Sequence, residues 1–200
     1  MTESAPTIRK ATEADVETFG RILGAAFDDD PIINWIVRQD ERRSEAIETL
    51  FREVGRHAYL PEGECYITAD GAGSALWRPP DVPEPEPPEL APVWGEILDP
   101  LRPDNSNTLG DAMNEQHPTE THFYLFAIGV LPEGQRSGTG SALMRAVLDR
   151  CDRERIPAYL ENTNERNQSF YERHGFKTTE RVDLPDGGPS FWSMWREPQG

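Results

Sequence analysis

The run His122-Phe123-Tyr124-Leu125-Phe126-Ala127-Ile128-Gly129-Val130 constrains this chain more than any other stretch. It is almost continuously apolar, the pattern of a strand covered on both faces at the centre of a sheet. Gly129 inside it predicts a bulge or a close backbone approach. The loop GQRSGTGSALM follows, Gly134 to Met144, and then Ala142, Leu143, Ala146, Val147, Leu148 and Cys151 recur at helical spacing. Pro157 precedes a second strand, Ala158-Tyr159-Leu160-Glu161. Strand, helix and strand this close together require a parallel pair joined by a right-handed crossover.

The rest of the chain must complete that sheet. Thr7–Lys10 reads as a short first strand. Thr12 then reads as an N-cap, with Asp15 at the capping-box offset, before a helix through Val16, Phe19, Ile22, Leu23, Ala26 and Phe27. Asp28-Asp29-Asp30-Pro31 stops that helix. A second helix is expected over about Arg42–Tyr59, and a hairpin over Cys65–Thr68 and Ala75–Trp77, turned at Asp70–Gly73. Seven prolines between Pro79 and Pro92 predict an extended loop that neither helix nor sheet interior would tolerate. Weak helical patterns follow at Leu90–Leu98 and Ser106–Gln116. Asn164 or Asn167 can cap a short helix ending at Gly175, and Lys177–Asp183 and Phe191–Arg196 read as the last strands.

The glycine loop presents backbone N–H groups to an anion. A nucleoside triphosphate loop would need Gly-Lys-Ser/Thr, and Gly140 is followed by Ser141. The dinucleotide fingerprint fits Gly138 and Gly140, with Glu161 about 20 residues on, but Leu143 stands at its third glycine. It also fails in its turn, since Pro132 separates Val130 from the loop. The pattern Gln135-x-x-Gly138-x-Gly140 instead resembles the acetyl-CoA loop of the GNAT N-acetyltransferases. A second signature of that family, Asn-x-x-(small)-x-x-x-Tyr and then Gly-Phe, is matched at Asn164–Tyr171 and Gly175-Phe176, with Asn167 where alanine is usual. The resemblance is sharp over about Phe123–Trp195, and the layout is similar to puromycin-type and related antibiotic N-acetyltransferases.

The resemblance implies an α/β (α+β) GNAT fold: a mixed, mostly antiparallel sheet of about six to seven strands with one splayed parallel pair, flanked by helices. It implies a single domain over 1–200, with an acceptor-side half (1–120) and an acetyl-CoA-binding half (121–200). The pyrophosphate of acetyl-CoA would lie on Gln135, Arg136, Ser137, Gly138, Thr139, Gly140 and Ser141, and the pantetheine arm along Ile128, Gly129 and Val130, with Asn164 and Asn167 nearby. Asn164 equally suits a helix cap, and Arg136 equally suits solvent. The N–H of Val130 is the candidate oxyanion donor. Tyr171 matches the family tyrosine that protonates the leaving thiolate, as a phenol of ordinary pKa about 10 can. For the base, Glu161 at its strand end is the candidate, with His122 or a water relay as alternatives. A non-catalytic acyl-CoA-binding or regulatory module on the same fold is the other reading.

Charge narrows the partners. Of the 36 acidic and 20 basic residues, 1–120 hold 25 and 10, leaving 11 and 10 for 121–200. Without a basic footprint, nucleic acid is excluded as a partner. The acidic first half suits a cationic acceptor such as a polyamine, aminoglycoside-like or aminonucleoside amine, and equally suits solubility. Phe27, Asp28, Asp29, Asp30 and Trp35 are the acceptor-side candidates. No apolar run approaches the roughly 20 residues that cross a bilayer, and Met1–Ser4 lacks a signal-peptide layout, so a cytoplasmic protein off the membrane is expected. Cys65 and Cys151 fit neither a disulfide framework nor a metal knuckle, and no metal is expected. Trp192 and Trp195 suit pairing across a dimer, so monomer and homodimer both stay open.

Overall fold

The central apolar run becomes a strand whose two ends have different neighbours. The structure, a computed structural model, describes residues 6–61, 63–83 and 87–200. Glu84 to Glu86 of the proline-rich loop lie outside the described residues. Strands β1 (Ile8–Lys10), β2 (Glu64–Thr68), β3 (Gly73–Arg78), β4 (Phe123–Val130), β5 (Ala158–Asn162), β6 (Lys177–Asp183) and β7 (Ser190–Arg196) form one sheet. Its order is β1-β2-β3-β4-β5-β7-β6. The pair β4–β5 is parallel and its other neighbours are antiparallel.

Helices α1 (Val16–Ala26), α2 (Pro31–Ile36), α3 (Arg43–Val54) and α4 (Ala91–Ile97) share one core with Tyr124, Ala127 and Tyr159. Helix α5 (Asn105–Gln116) extends this side through a cluster of Leu109, Ile32, Leu184 and Phe191. On the opposite face α6 (Thr139–Glu154) and α7 (Gln168–Arg173) pack on Phe123, Leu125, Ala158 and Leu160. Leu143, Met144, Val147 and Leu148 of α6 are all buried there, each worth about 1.5–3 kcal/mol of hydrophobic stabilisation. Asp152 on the outer side of α6 grips Arg196 of β7 through two bonds of 2.7 and 2.8 Å.

The parallel pairing is short. It joins Phe123, Tyr124 and Leu125 to Ala158, Tyr159 and Leu160. Beyond that point β5 continues against β7 alone, while β4 continues against β3. The cause is visible in the register. Leu125 pairs with Trp77 and Ala127 with Leu76, so Phe126 is an extra residue in β4. Phe126 and Ala127, though consecutive, both face the α1 core, and Ile128 and Val130 face α6. Such a bulge bends its strand and increases the local twist, which turns β4 away from β5 and opens a wedge. Of the two readings of Gly129, a bulge or a close approach, the second holds, and the bulge is at Phe126. A Cβ at Gly129 would sit 2.7 Å from Ala26 Cβ and 2.9 Å from Leu23 Cδ2.

Elsewhere the expected elements form, with additions and one correction: the end of the extended loop expected over Pro79–Pro92 is helical, a 3-10 turn at Pro88–Leu90 leading into α4, whose first turn accepts Pro92 because the N–H it lacks would have no partner there. Asp15 accepts a bond from the Thr12 N–H at 2.8 Å, and Arg9 beside it holds its carboxyl well below the usual range. The helix expected to Tyr59 becomes α3 followed by a wider π turn, Gly55–Tyr59. Helix α2 was not expected. Asp30-Pro31 not only closes α1 but opens α2, with Asp30 as N-cap and Pro31 at the first position. Among the described residues no helix is long and apolar enough to cross a membrane.

Candidate active site

The loop between β4 and α6 is built to leave backbone donors free. A 3-10 turn, Pro132–Gly134, leads the chain away from Val130, whose carbonyl accepts from Gln135 Nε2 at 3.3 Å. Arg136 and Gly138 then adopt φ of +64° and +89°, a left-handed conformation that glycine takes at no steric cost. Gly138 is the N-cap of α6 and offers no side chain to the first-turn N–H groups, so these remain available with the positive end of the helix dipole. Ser137 and Thr139 spend their hydroxyls on the loop: Ser137 Oγ donates to the Gly134 carbonyl at 2.6 Å and lies 2.8 Å from Thr139 Oγ1. Gly140 keeps α6 close to α7, since a Cβ there would meet the Phe170 ring at 3.3 Å.

These pieces wall a cleft of about 550 Å³. Ile128, Gly129 and Val130 form one side; Gln135, Arg136, Gly138, Gly140 and Ser141 another; Asn167 and Tyr171 a third. Phe170 and Arg173 join that wall, and sequence reasoning missed both. Arg173 follows the Tyr171 motif by two residues; it lines the cleft while its guanidinium donates to Ser169 Oγ at 3.4 Å. The chemistry fits coenzyme A, with uncapped amides and two arginines for a pyrophosphate and an open strand edge for an extended arm. Asn164 lines the adjoining cavity instead, and its Oδ1 caps the next turn by accepting from the Arg166 N–H at 3.1 Å.

That adjoining cavity, about 490 Å³, occupies the wedge. Tyr171 and Glu161 stand on its two sides. The Tyr171 phenol is buried, and burial together with the nearby Asp30 carboxylate pushes its pKa up, so it stays protonated at neutral pH. The Glu161 side chain is 3% exposed, and its Oε1 has no hydrogen-bond partner. The nearest cationic candidate is His117 Nδ1 at 3.6 Å. His117 was passed over in the sequence, yet its ring packs at 5.0–5.1 Å on His122, Tyr124 and Tyr159. Its position 44 residues before Glu161 carries no local pattern, so only the fold pairs them. His122, the alternative base, is buried and its pKa is lowered by that burial; its Nδ1 lies 2.6 Å from the Glu120 carbonyl.

The acceptor-side candidates separate. Phe27 and Asp30 line both the wedge and a third cavity of about 600 Å³ beneath α4 and α5. Asp28 and Asp29 line only the wedge, and Asp28 is ion-paired to Arg43. Trp35 lines neither; it packs on the Ile32, Leu184 and Phe191 cluster, and its carbonyl accepts from Asn105 Nδ2 at 2.8 Å. Asp30 is buried with one oxygen capping α2 (Ile32 N–H 2.9 Å, Ile33 N–H 3.2 Å) and the other accepting from Thr163 Oγ1 at 2.6 Å. Burial raises its pKa against those three bonds.

Comparison with known proteins agrees with this fold. Residues 101–176 match the Acetyltransferase (GNAT) family. Over 197 residues the chain is 26% identical to an uncharacterized N-acetyltransferase of Schizosaccharomyces pombe, covering 88% of this chain and 76% of that protein. A solved structure from Corynebacterium glutamicum, described as histone acetyltransferase HPA2 and related acetyltransferase, is 27% identical with a TM-score of 0.74 over 98% of each chain. Ard1 from Thermoplasma volcanium shares the fold at 18% identity, with a TM-score of 0.58 over 98% of this chain and 100% of that one.

Proposed function

Because the chain belongs to the GNAT acetyltransferase family, we propose that it acetylates the primary amine of a small molecule, with acetyl-CoA as donor. The observation that carries this reading is the wedge: it shares Ile128, Gln135, Asn167 and Tyr171 with the glycine-loop cleft, and Glu161 also lines it. Bound acetyl-CoA supplies an acetyl thioester, which the amine converts to an amide as the thiol is released. Ile128, Gly129 and Val130 would hold the extended arm, and the amides from Arg136 to Ser141 the pyrophosphate, with the Gln135 side chain beside them and Asn167 at the junction. Val130 N–H would donate to the carbonyl oxygen as its charge develops. Glu161, buried and with one oxygen free of hydrogen bonds, would take the proton from the amine. Tyr171 would hold a proton for the departing sulfur, a role its raised pKa supports.

Calorimetric titration with acetyl-CoA tests the first half of this reading, with saturable one-to-one binding expected. Heatless titration at millimolar cofactor, with the fold intact by circular dichroism, would overturn it. Tyr171→Phe tests the second half: thiol release should fall while the acetyl-CoA dissociation constant stays as it was. An unchanged rate would remove Tyr171 from the chemistry.

A further inference from the structure

The third cavity has not been given an occupant. It lies between the sheet and the helices of the first half, and its volume of about 600 Å³ is within the range of small-ligand pockets. Its walls are overwhelmingly apolar. Helices α2 and α3 contribute Ile33, Ile36, Leu50, Phe51 and Val54; the α4 and α5 side contributes Leu90, Trp94, Leu98, Leu109 and Met113. Tyr124 and Phe126 form the floor, so the bulged residue that opens the wedge also paves the chamber. Among the described residues lining it, none is Lys, Arg or His, and the carboxylates are Asp30 and Glu161.

Those two carboxylates are not scattered. Asp30, Glu161 and Thr163 line both the chamber and the wedge, as do Phe27 and Phe126. The negative charge thus sits at the throat where the two cavities meet, and the remainder of the chamber is apolar with Ser106 and Asn107 at its α5 side. An occupant matched to this distribution has one cationic end and one apolar body. A polyamine or an aminoglycoside seated in the chamber would have to bury further ammonium groups against Leu, Ile and Trp side chains beyond the reach of the throat carboxylates, which desolvation opposes.

Resting on the acetyltransferase reading above, we infer that the acceptor is a monoamine carried on an apolar aromatic or aliphatic body, with the amine at the Asp30–Glu161 throat and the body in the chamber. The chain's large acidic excess therefore does not describe its substrate. The acidic run Asp28-Asp29-Asp30 sends only Asp30 into the chamber, and that carboxylate is already engaged with Thr163 and α2.

The test compares 2-phenylethylamine and hexylamine with spermidine and kanamycin on the protein saturated with coenzyme A or acetyl-CoA. Binding is read by calorimetry and turnover by thiol release. Gly110 on α5 supplies the variant, because it lines the chamber and a Cβ there meets nothing within 4 Å. Gly110→Trp should fill the chamber without disturbing the fold. The expected result is at least about 100-fold tighter binding of the apolar monoamines than of the polycations, roughly two decades of the affinity scale. Gly110→Trp should weaken that binding about tenfold or more, with the acetyl-CoA dissociation constant unchanged. Preference for spermidine or kanamycin, or monoamine binding indifferent to Gly110→Trp, overturns the inference while acetyl-CoA binding keeps the acetyltransferase reading intact. Absence of acetyl-CoA binding itself overturns both.

Discussion

Asp30 is where the fold and the site share one carboxylate, and replacing it separates the two. Asp30→Ala removes the cap of α2, which costs about 1 kcal/mol. It also removes the charged acceptor of the 2.6 Å bond from Thr163, worth about 1.5–3 kcal/mol. Relief of a buried carboxylate, whose pKa burial has raised, returns a share of this. The net expectation is a loss of about 2 kcal/mol. With a urea m-value of about 2 kcal/mol/M, that lowers the unfolding midpoint by about 1 M. Asp30→Asn keeps an oxygen for the Ile32 and Ile33 N–H groups and offers Thr163 an amide donor in place of an acceptor, so it should cost less than about 1 kcal/mol. The pH dependence has a defined sign. A carboxyl whose folded pKa is raised loses stability for the protein as pH climbs from the ordinary aspartate range, about 4, through the folded value, because the unfolded chain ionises first. Asp30→Asn lacks this loss, so its stability relative to the parent should improve as pH rises through that window. Urea denaturation followed by circular dichroism at several pH values measures both effects. Equal midpoints for the Ala and Asn variants would refute the capping argument, and a pH-independent gap between Asn and the parent would refute the burial argument.

Three further outcomes are expected. Gly138→Ala forces a side chain into φ +89°, a strain of about 1–2 kcal/mol; calorimetry should show weaker acetyl-CoA binding, and the thermal midpoint should fall by about 2–8 °C from that backbone strain alone, since nothing packs on that position. Glu161→Gln should lower kcat/KM by about 10²–10⁴ in a thiol-release assay, and His117→Ala by less, while acetyl-CoA affinity holds in both. Asp152→Ala removes two acceptors from the Arg196 guanidinium, which is 3% exposed and keeps its Nε bond to the His174 carbonyl, and should cost about 1.5–3 kcal/mol in denaturant unfolding.

Much of the second half was legible in the sequence because its signals are local. A continuous apolar run, a glycine loop and a helical period each declare themselves within ten residues, and together they require the parallel pair. The two motifs then place Gly138, Gly140 and Tyr171 at one cleft. What escaped depends on distant partners. The bulge at Phe126 has no signature inside a run of apolar residues; it exists only in the register against Leu76 and Trp77. Asp30-Pro31 was read as the end of one helix, although Asp before Pro is also how a helix begins. His117 acquires meaning from Glu161 and Tyr159, which β5 delivers. The chamber draws its lining from four helices and two strands, so no window of sequence contains it.

The wedge also bears on how the molecule avoids other chains. An ordinary open sheet has two borders where a foreign strand can add, and this one protects them: β1 is three residues long, and β6 is studded with Lys177, Glu180, Arg181 and Asp183. Parting β4 from β5 creates two more borders, inside the sheet and without such charges on β4. The Phe123–Leu125 pairing seals one end of the gap, and the helix-bearing loops flank the other. A single extended moiety can enter, whereas a hairpin or a neighbouring molecule's sheet cannot follow it in. A resident cofactor would then serve as a guard against self-association, and protein stripped of it should aggregate sooner on warming than protein kept saturated.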